Sequence, residues 1–216
     1  MHDLRLNRVL SKPLTHLFLK TPLTPNQVTL LSLSCGLTAG FFFSLGHYAA
    51  SLAGAAGYQL AVVLDNCDGE VARAKNMRSK LGRWLDILVD ILNDTVIFTG
   101  VAIGLRRQGI QDFVWLFLTL CLSGAAMHFL LVVLEKMKGF GPAVFAAPHL
   151  EHGQRRRFWL VLFDALREGE ASWFVVLFAS AGQTQYLLWA GGVYMQVLWI
   201  SAALINYRRV FGGRTA

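Results

Sequence analysis

Asp65-Asn66-Cys67-Asp68-Gly69-Glu70-Val71-Ala72-Arg73, then eight residues, then Gly82-Arg83-Trp84-Leu85-Asp86-Ile87-Leu88-Val89-Asp90, decides how this chain folds. Asp65 and Asp68 stand three residues apart at the end of one apolar run. Asp86 and Asp90 stand four apart at the start of the next. Each spacing puts its pair on one face of a helix. The connection between them is short and basic, which turns the second helix back on the first and lets the two acidic faces meet.

The rest of the chain supplies the surroundings. Of 216 residues, 55% are apolar or aromatic and only 15% are charged, against about 25% charged in a soluble domain. A bilayer span takes roughly 20 apolar residues. Apolar runs occur near 27–46, 48–64, 85–105, 112–135, 171–182 and 185–206, the second continuing as helix to about residue 74. The expected fold is an all-α polytopic membrane protein of six transmembrane helices. Residues 1–21 read as an amphipathic interfacial helix ahead of the membrane domain, 22–216. Leu14, Leu17 and Phe18 share one face of it, and Pro13 suits a first-turn position. Thr24-Pro25-Asn26 is a helix-start signal. The fifth run is short, so its helix is expected to begin earlier, near Phe158–Arg167.

The net charge of +7 fits topology and anionic lipid better than nucleic acid, because the basic residues cluster between apolar runs. With the N-terminus in the cytoplasm, all of the 20 Lys and Arg residues except Arg106 and Arg107 fall on the cytoplasmic side. Both termini and the acidic site are therefore expected to face the cytoplasm, in the inner or plasma membrane of a prokaryote. Cys35, Cys67 and Cys121 show no C-x-x-C spacing and suggest neither zinc nor a disulfide framework. The first twenty residues lack the continuous apolar stretch of a signal peptide.

Four aspartates facing lipid would cost on the order of 10–14 kcal/mol on insertion scales. They must face a wet cavity, pair with cations, or both. Converging carboxylates repel one another, and hard divalent cations such as Mg²⁺ or Mn²⁺ relieve that repulsion. Metals held by carboxylates and completed by substrate phosphates recur in phosphoryl transfer. Gly69 and Gly82 let a nucleotide or a backbone approach closely, Ala72 keeps the same face open, and Arg73 suits phosphate oxygens. The plainer alternative is helix-end charge in a solvated loop, paired with Arg73, Lys75 and Arg78. It accounts for one aspartate more readily than for all four with both glycines.

The pattern D-x2-D-G-x2-A-R-x8-G-x3-D-x3-D resembles the signature of the CDP-alcohol phosphotransferase family at every fixed position, over residues 65–90. Pro25-Asn26 with Thr29 resembles the family's opening of its first span. The resemblance implies a six-helix membrane enzyme, a homodimer, that transfers a substituted phosphate from a CDP-linked donor to an alcohol and releases CMP. It implies Asp65, Asp68 and Asp86 as metal ligands for two ions, with Asp90 touching the second, and Asp90 as the general base. It implies Asn26, Gly69, Arg73, Ser79 and Gly82 as donor-contacting positions. The donor would be CDP-diacylglycerol, another CDP-lipid or a soluble CDP-alcohol. For the acceptor, Asp90-Ile91-Leu92-Asn93-Asp94 resembles the branch that uses inositol phosphate or a related polyol phosphate, with Ile91 where that branch carries Arg.

Other features stay open. Arg155, Arg156, Arg157 and Arg167 suit either an acceptor phosphate or anionic lipid. His149 and His152 have permissive metal spacing in a Gly- and Pro-rich loop. Asp94 extends the acidic face by one turn, either as a functional group or as a polar residue with a cationic partner. Gly100-x3-Gly104 suits a close helix contact within one subunit or between two. Two other classes compete: a prenyltransferase-like enzyme that would release pyrophosphate, and a cation-coupled transporter.

Overall fold

Residues 6–137 and 171–210 are described by this computed structural model, and within them every regular element is a helix. In chain order these are α1 (Leu6–Leu19), α2 (Pro25–Ser44), α3 (Tyr48–Ala74), α4 (Lys80–Arg107), α5 (Val114–Met137), α6 (Ser172–Ser180) and α7 (Thr184–Val210). The start of α2 follows its sequence signal. Thr24 accepts from the Gln27 amide, Gln27 returns the bond to the Thr24 amide, and Pro25 occupies the first turn. Such a cap contributes about 1 kcal/mol. The end of α3 is equally local. Met77 donates to Ala72 and Asn76 to Arg73, with Asn76 at φ 54°, so the chain leaves the helix through a left-handed residue.

Small residues set how the helices meet. α2 lies between α3 and α4 and packs on both. Gly40 meets the Val96 carbonyl of α4, and Gly54 lies against Phe43 and Ala39 of α2. Gly100 and Gly104 abut the backbone of Gly40 and Phe43, so this pair serves packing within one chain. α5 packs on α7, and the core between them and α4 includes Phe98, Val101, Cys121, Leu188 and Met195. The three cysteines are free thiols. A Cβ at position 100 would run into the Gly40 carbonyl oxygen, which cannot swing away as a side chain can. Gly100→Ala is therefore expected to destabilise by about 3 kcal/mol, the upper end of ordinary overpacking. Thermal unfolding in detergent beside a Gly109→Ala control measures it, since nothing lies within 4 Å of a Cβ at Gly109, although its φ of +84° adds strain of its own.

Among the described residues, four helices, α2, α4, α5 and α7, are long and apolar enough to cross a membrane by length and composition. α3 has the length, at 27 residues, but carries Asp65, Asp68, Glu70 and Arg73. α6 has nine residues, and Phe158–Arg167, where its beginning was expected, lies outside the described residues.

One expectation, for α1, changes. Pro13 sits well inside this helix rather than in its first turn. The face that α1 buries is polar, made of Asn7, Ser11 and Thr15, which flank Pro13 and bond to Ser172 and Glu70. Leu14 and Phe18 pack on Val28, Val63 and Cys67, while Leu17, Leu6 and Val9 are exposed. The three expected apolar positions thus divide between two faces. The polar stripe at i, i+4 and i+8 decides the roll of the helix, because buried hydroxyl and amide groups need partners and α3 supplies them.

Candidate metal and nucleotide site

α3 ends and α4 begins within a few residues of each other, yet the two helices scarcely touch; both lean on α2. Their acidic faces therefore confront each other across a gap rather than interlocking. Carboxylate oxygens of Asp65, Asp68 and Asp86 lie within 4.8 Å of one another. Asp68 is buried, and Asp65 and Asp86 are half-buried. Asp90, one turn beyond Asp86, approaches Asp65 and opens to solvent, while its neighbour Val89 is buried against the core.

Two unit charges 4.8 Å apart repel by at least about 3 kcal/mol at an effective dielectric constant of about 20. Three such pairs cannot all stay ionised without a counter-charge. Asp65 Oδ1 is also buried with no hydrogen-bond partner, a state that buried polar atoms rarely keep. A converging set of hard oxygen donors with one orphaned lone pair fits a divalent cation of the Mg²⁺ or Mn²⁺ type. The triad so assembled contains three of the four expected ligands. Asp90 stands beside it.

The surrounding residues aim the triad. Thr29 of α2 donates to Asp68 Oδ2 at 2.5 Å and also to the Pro25 carbonyl at 3.1 Å, which holds the carboxylate from the α2 side. Pro25, Asn26 and Thr29 thus belong to the site through α2. Gly82 lies against Asn26 and Ser79: a Cβ there would stand 2.9 Å from Asn26 Oδ1 and 3.0 Å from Ser79 Oγ. Gly82 is thus closely packed, and its neighbours are these two side chains. Ser79 also caps α4, accepting from the Gly82 amide at 2.9 Å. At Gly69 the nearest group is the Arg73 guanidinium, 3.5 Å from where a Cβ would sit, so the pair forms one small open platform beside Asp68.

Three features had not been read from the sequence. The Thr29–Asp68 bond joins residues 39 apart. Glu70 accepts from Ser11 and Thr15. Tyr58 donates to Asp94 Oδ1 at 3.4 Å, so among the described residues the partner of Asp94 is a phenol rather than a cation. Only the three-residue spacing of Thr29 after Asn26 hinted at the first. No local pattern marks a hydroxyl that reaches another helix. Arg155, Arg156, Arg157, Arg167, His149 and His152 lie outside the described residues.

Known proteins resemble this chain in sequence and in fold. A family model described as CDP-alcohol phosphatidyltransferase matches residues 22–211. The bifunctional IPC transferase and DIPP synthase of Rubrobacter xylanophilus is 38% identical over 86 residues, 40% of this chain and 19% of that protein. The phosphatidylinositol phosphate synthase of Corynebacterium glutamicum is 35% identical over 106 residues, 47% of this chain and 45% of that one. The archaetidylinositol phosphate synthase of Pyrococcus horikoshii is 39% identical over 84 residues, 38% of this chain and 42% of that one. The matches thus span less than half the length of each of these relatives. Among solved structures, the fold is similar to Mycobacterium tuberculosis phosphatidylinositol phosphate synthase. The apo form gives a TM-score of 0.57 at 20% identity, over 89% of this chain and 95% of that one. The complex with manganese and citrate gives 0.55 at 19% identity, over 90% and 88%.

Proposed function

The chain belongs to the CDP-alcohol phosphatidyltransferase family, and from that premise we propose that it transfers a substituted phosphate from a CDP-linked donor to a polyol phosphate and releases CMP. The proposed donor is CDP-diacylglycerol or a similar CDP-lipid, and the proposed acceptor is inositol phosphate. The observation that carries this reading is the meeting of Asp65, Asp68 and Asp86 across the α3–α4 gap, with Asp90 one turn further along. The names of the relatives from Corynebacterium and Pyrococcus support the acceptor.

Asp65, Asp68 and Asp86 would hold the metal, with Asp90 at the edge of a second ion. A divalent cation bound there supplies positive charge to the donor's pyrophosphate as negative charge grows on it. Arg73, beside Gly69, contacts phosphate oxygens of the donor, and Asn26, Ser79 and Gly82 form the wall against which the cytidine packs. Asp90, exposed to the gap, takes the proton of the acceptor hydroxyl. The acceptor oxygen bonds to the phosphorus distal to the cytidine, the bond from that phosphorus to the bridging oxygen breaks, and CMP departs.

The same proposal includes six spans, the four marked by length and apolarity together with α3 and α6. It places both termini and the site on the cytoplasmic side, as the distribution of Lys and Arg supports, and makes the working unit a homodimer. The test is CMP release by the purified protein in lipid with Mg²⁺ or Mn²⁺. Donors are CDP-diacylglycerol and a soluble CDP-alcohol; acceptors are inositol phosphate, glycerol 3-phosphate, serine and inositol. The expected result is CMP formed with CDP-diacylglycerol and inositol phosphate together, and with neither alone. CMP formed only with another acceptor overturns the acceptor, and metal-dependent donor binding without CMP in any combination overturns the reaction.

A further inference from the structure

The α3 segment that carries Asp65, Asp68, Gly69 and Arg73 is gripped from two sides at neighbouring positions. From α2, Thr29 bonds Asp68. From α1, Ser11 Oγ donates to Glu70 Oε1 at 3.0 Å and Thr15 Oγ1 to Glu70 Oε2 at 2.5 Å. Ser11 and Thr15 are both buried. Positions 68 and 70 lie about 200° apart around a helix of 3.6 residues per turn. The two grips therefore act on nearly opposite sides of α3, and a roll of the helix in either direction stretches one of them. Glu70 is the residue between Gly69 and Arg73 that points away from the gap.

We propose that Glu70 is a positioning residue, and that α1, through Ser11 and Thr15, sets the roll of α3 that makes Asp65 and Asp68 converge with Asp86. Glu70 touches neither donor nor acceptor. It acts through the orientation of the ligands one turn away. The inference rests on the proposed metal site, and it gives the N-terminal helix a role in the chemistry beyond membrane contact.

A second α1–α3 contact provides the control. Gln59 Nε2 donates to Asn7 Oδ1 at 2.6 Å, and Asn7 Nδ2 to Ser172 Oγ at 3.1 Å, well up α3 from the triad. Asn7→Ala loosens α1 without touching the grip at Glu70. Glu70→Gln removes the charge but keeps hydrogen bonding. Its carbonyl accepts from Thr15 and its amide donates to Ser11, whose own proton already has the Arg8 carbonyl at 3.2 Å. The double variant Ser11→Ala/Thr15→Ala keeps the charge and removes both donors.

The measurement is Mn²⁺ binding to the full-length detergent-solubilised protein, followed by electron paramagnetic resonance, with thermal unfolding of each variant. Glu70→Ala and Ser11→Ala/Thr15→Ala are expected to weaken Mn²⁺ binding about tenfold, on the scale of lost outer-shell support. Glu70→Gln and Asn7→Ala are expected to stay within about twofold of the unmodified chain, although Asn7→Ala lowers the unfolding temperature. If Glu70→Gln is as weak as Glu70→Ala while the double variant binds normally, the effect is one of charge and the proposal fails. It fails equally if binding tracks unfolding temperature across all four variants, or if none of them changes it. Absence of Mn²⁺ binding in the unmodified chain strikes the metal site itself, a separate and distinguishable failure.

Discussion

Asp90→Asn is expected to slow CMP formation by about 10²–10⁴-fold, the usual contribution of a positioned general base, while Mn²⁺ still binds the Asp65–Asp68–Asp86 triad. The amide keeps the size of the carboxylate and cannot take a proton. The triad oxygens lie within 4.8 Å of one another, and Asp90, one turn beyond Asp86, approaches Asp65. Single-turnover CMP formation and Mn²⁺ titration on one preparation check this. A rate unchanged by the substitution places the base elsewhere. Loss of Mn²⁺ together with the rate makes Asp90 a ligand first.

Asp65→Asn moves two observables in opposite directions. Mn²⁺ affinity should fall by roughly 100-fold or more, since even outer-shell partners of a metal are worth 10–100-fold. In chelator, with no metal bound, the variant should unfold at a higher temperature than the unmodified chain. Asp65 Oδ1 is buried without a partner, and its charge faces those of Asp68 and Asp86 at a cost of at least about 3 kcal/mol per pair if ionised. Replacing it relieves that repulsion. A metal-free variant that is less stable than the unmodified chain would mean that the Asp65 carboxylate gains more from its contact with Asp90 than it loses to repulsion. Conversely, retained Mn²⁺ affinity would remove Asp65 from the ligand set.

The start of α2 was legible because it is local: Thr24 with Gln27 and Pro25 satisfies backbone groups within a few residues. The extension of the second run to residue 74 was legible for the same reason. The turns at Asn76 and at Ser79 with Gly82 are as local, but the sequence reading did not single them out. Apolar length was a less complete guide. α3 exchanges apolar residues for site carboxylates, so a composition count does not mark it as a span. For the N-terminal helix, the sequence reading put Leu14, Leu17 and Phe18 on one face of an interfacial helix, and the structure divides them between two. Here Asn7, Ser11 and Thr15 turn inward, and much of the apolar surface stays exposed.

By itself the sequence determined that this is an all-helical, strongly apolar chain with four aspartates on two helix faces, because hydropathy, capping and i, i+3 or i, i+4 spacing are properties of neighbouring residues. Tertiary structure alone decided which oxygens converge. α2 stands between α3 and α4 on glycine contacts, which opens the gap where Asp65, Asp68 and Asp86 meet and leaves Asp90 at its edge. The contacts of Thr29 with Asp68 and of Ser11 and Thr15 with Glu70 also belong to tertiary structure. They join residues 39 to 59 positions apart, and a hydroxyl carries no mark in sequence of the helix it will reach.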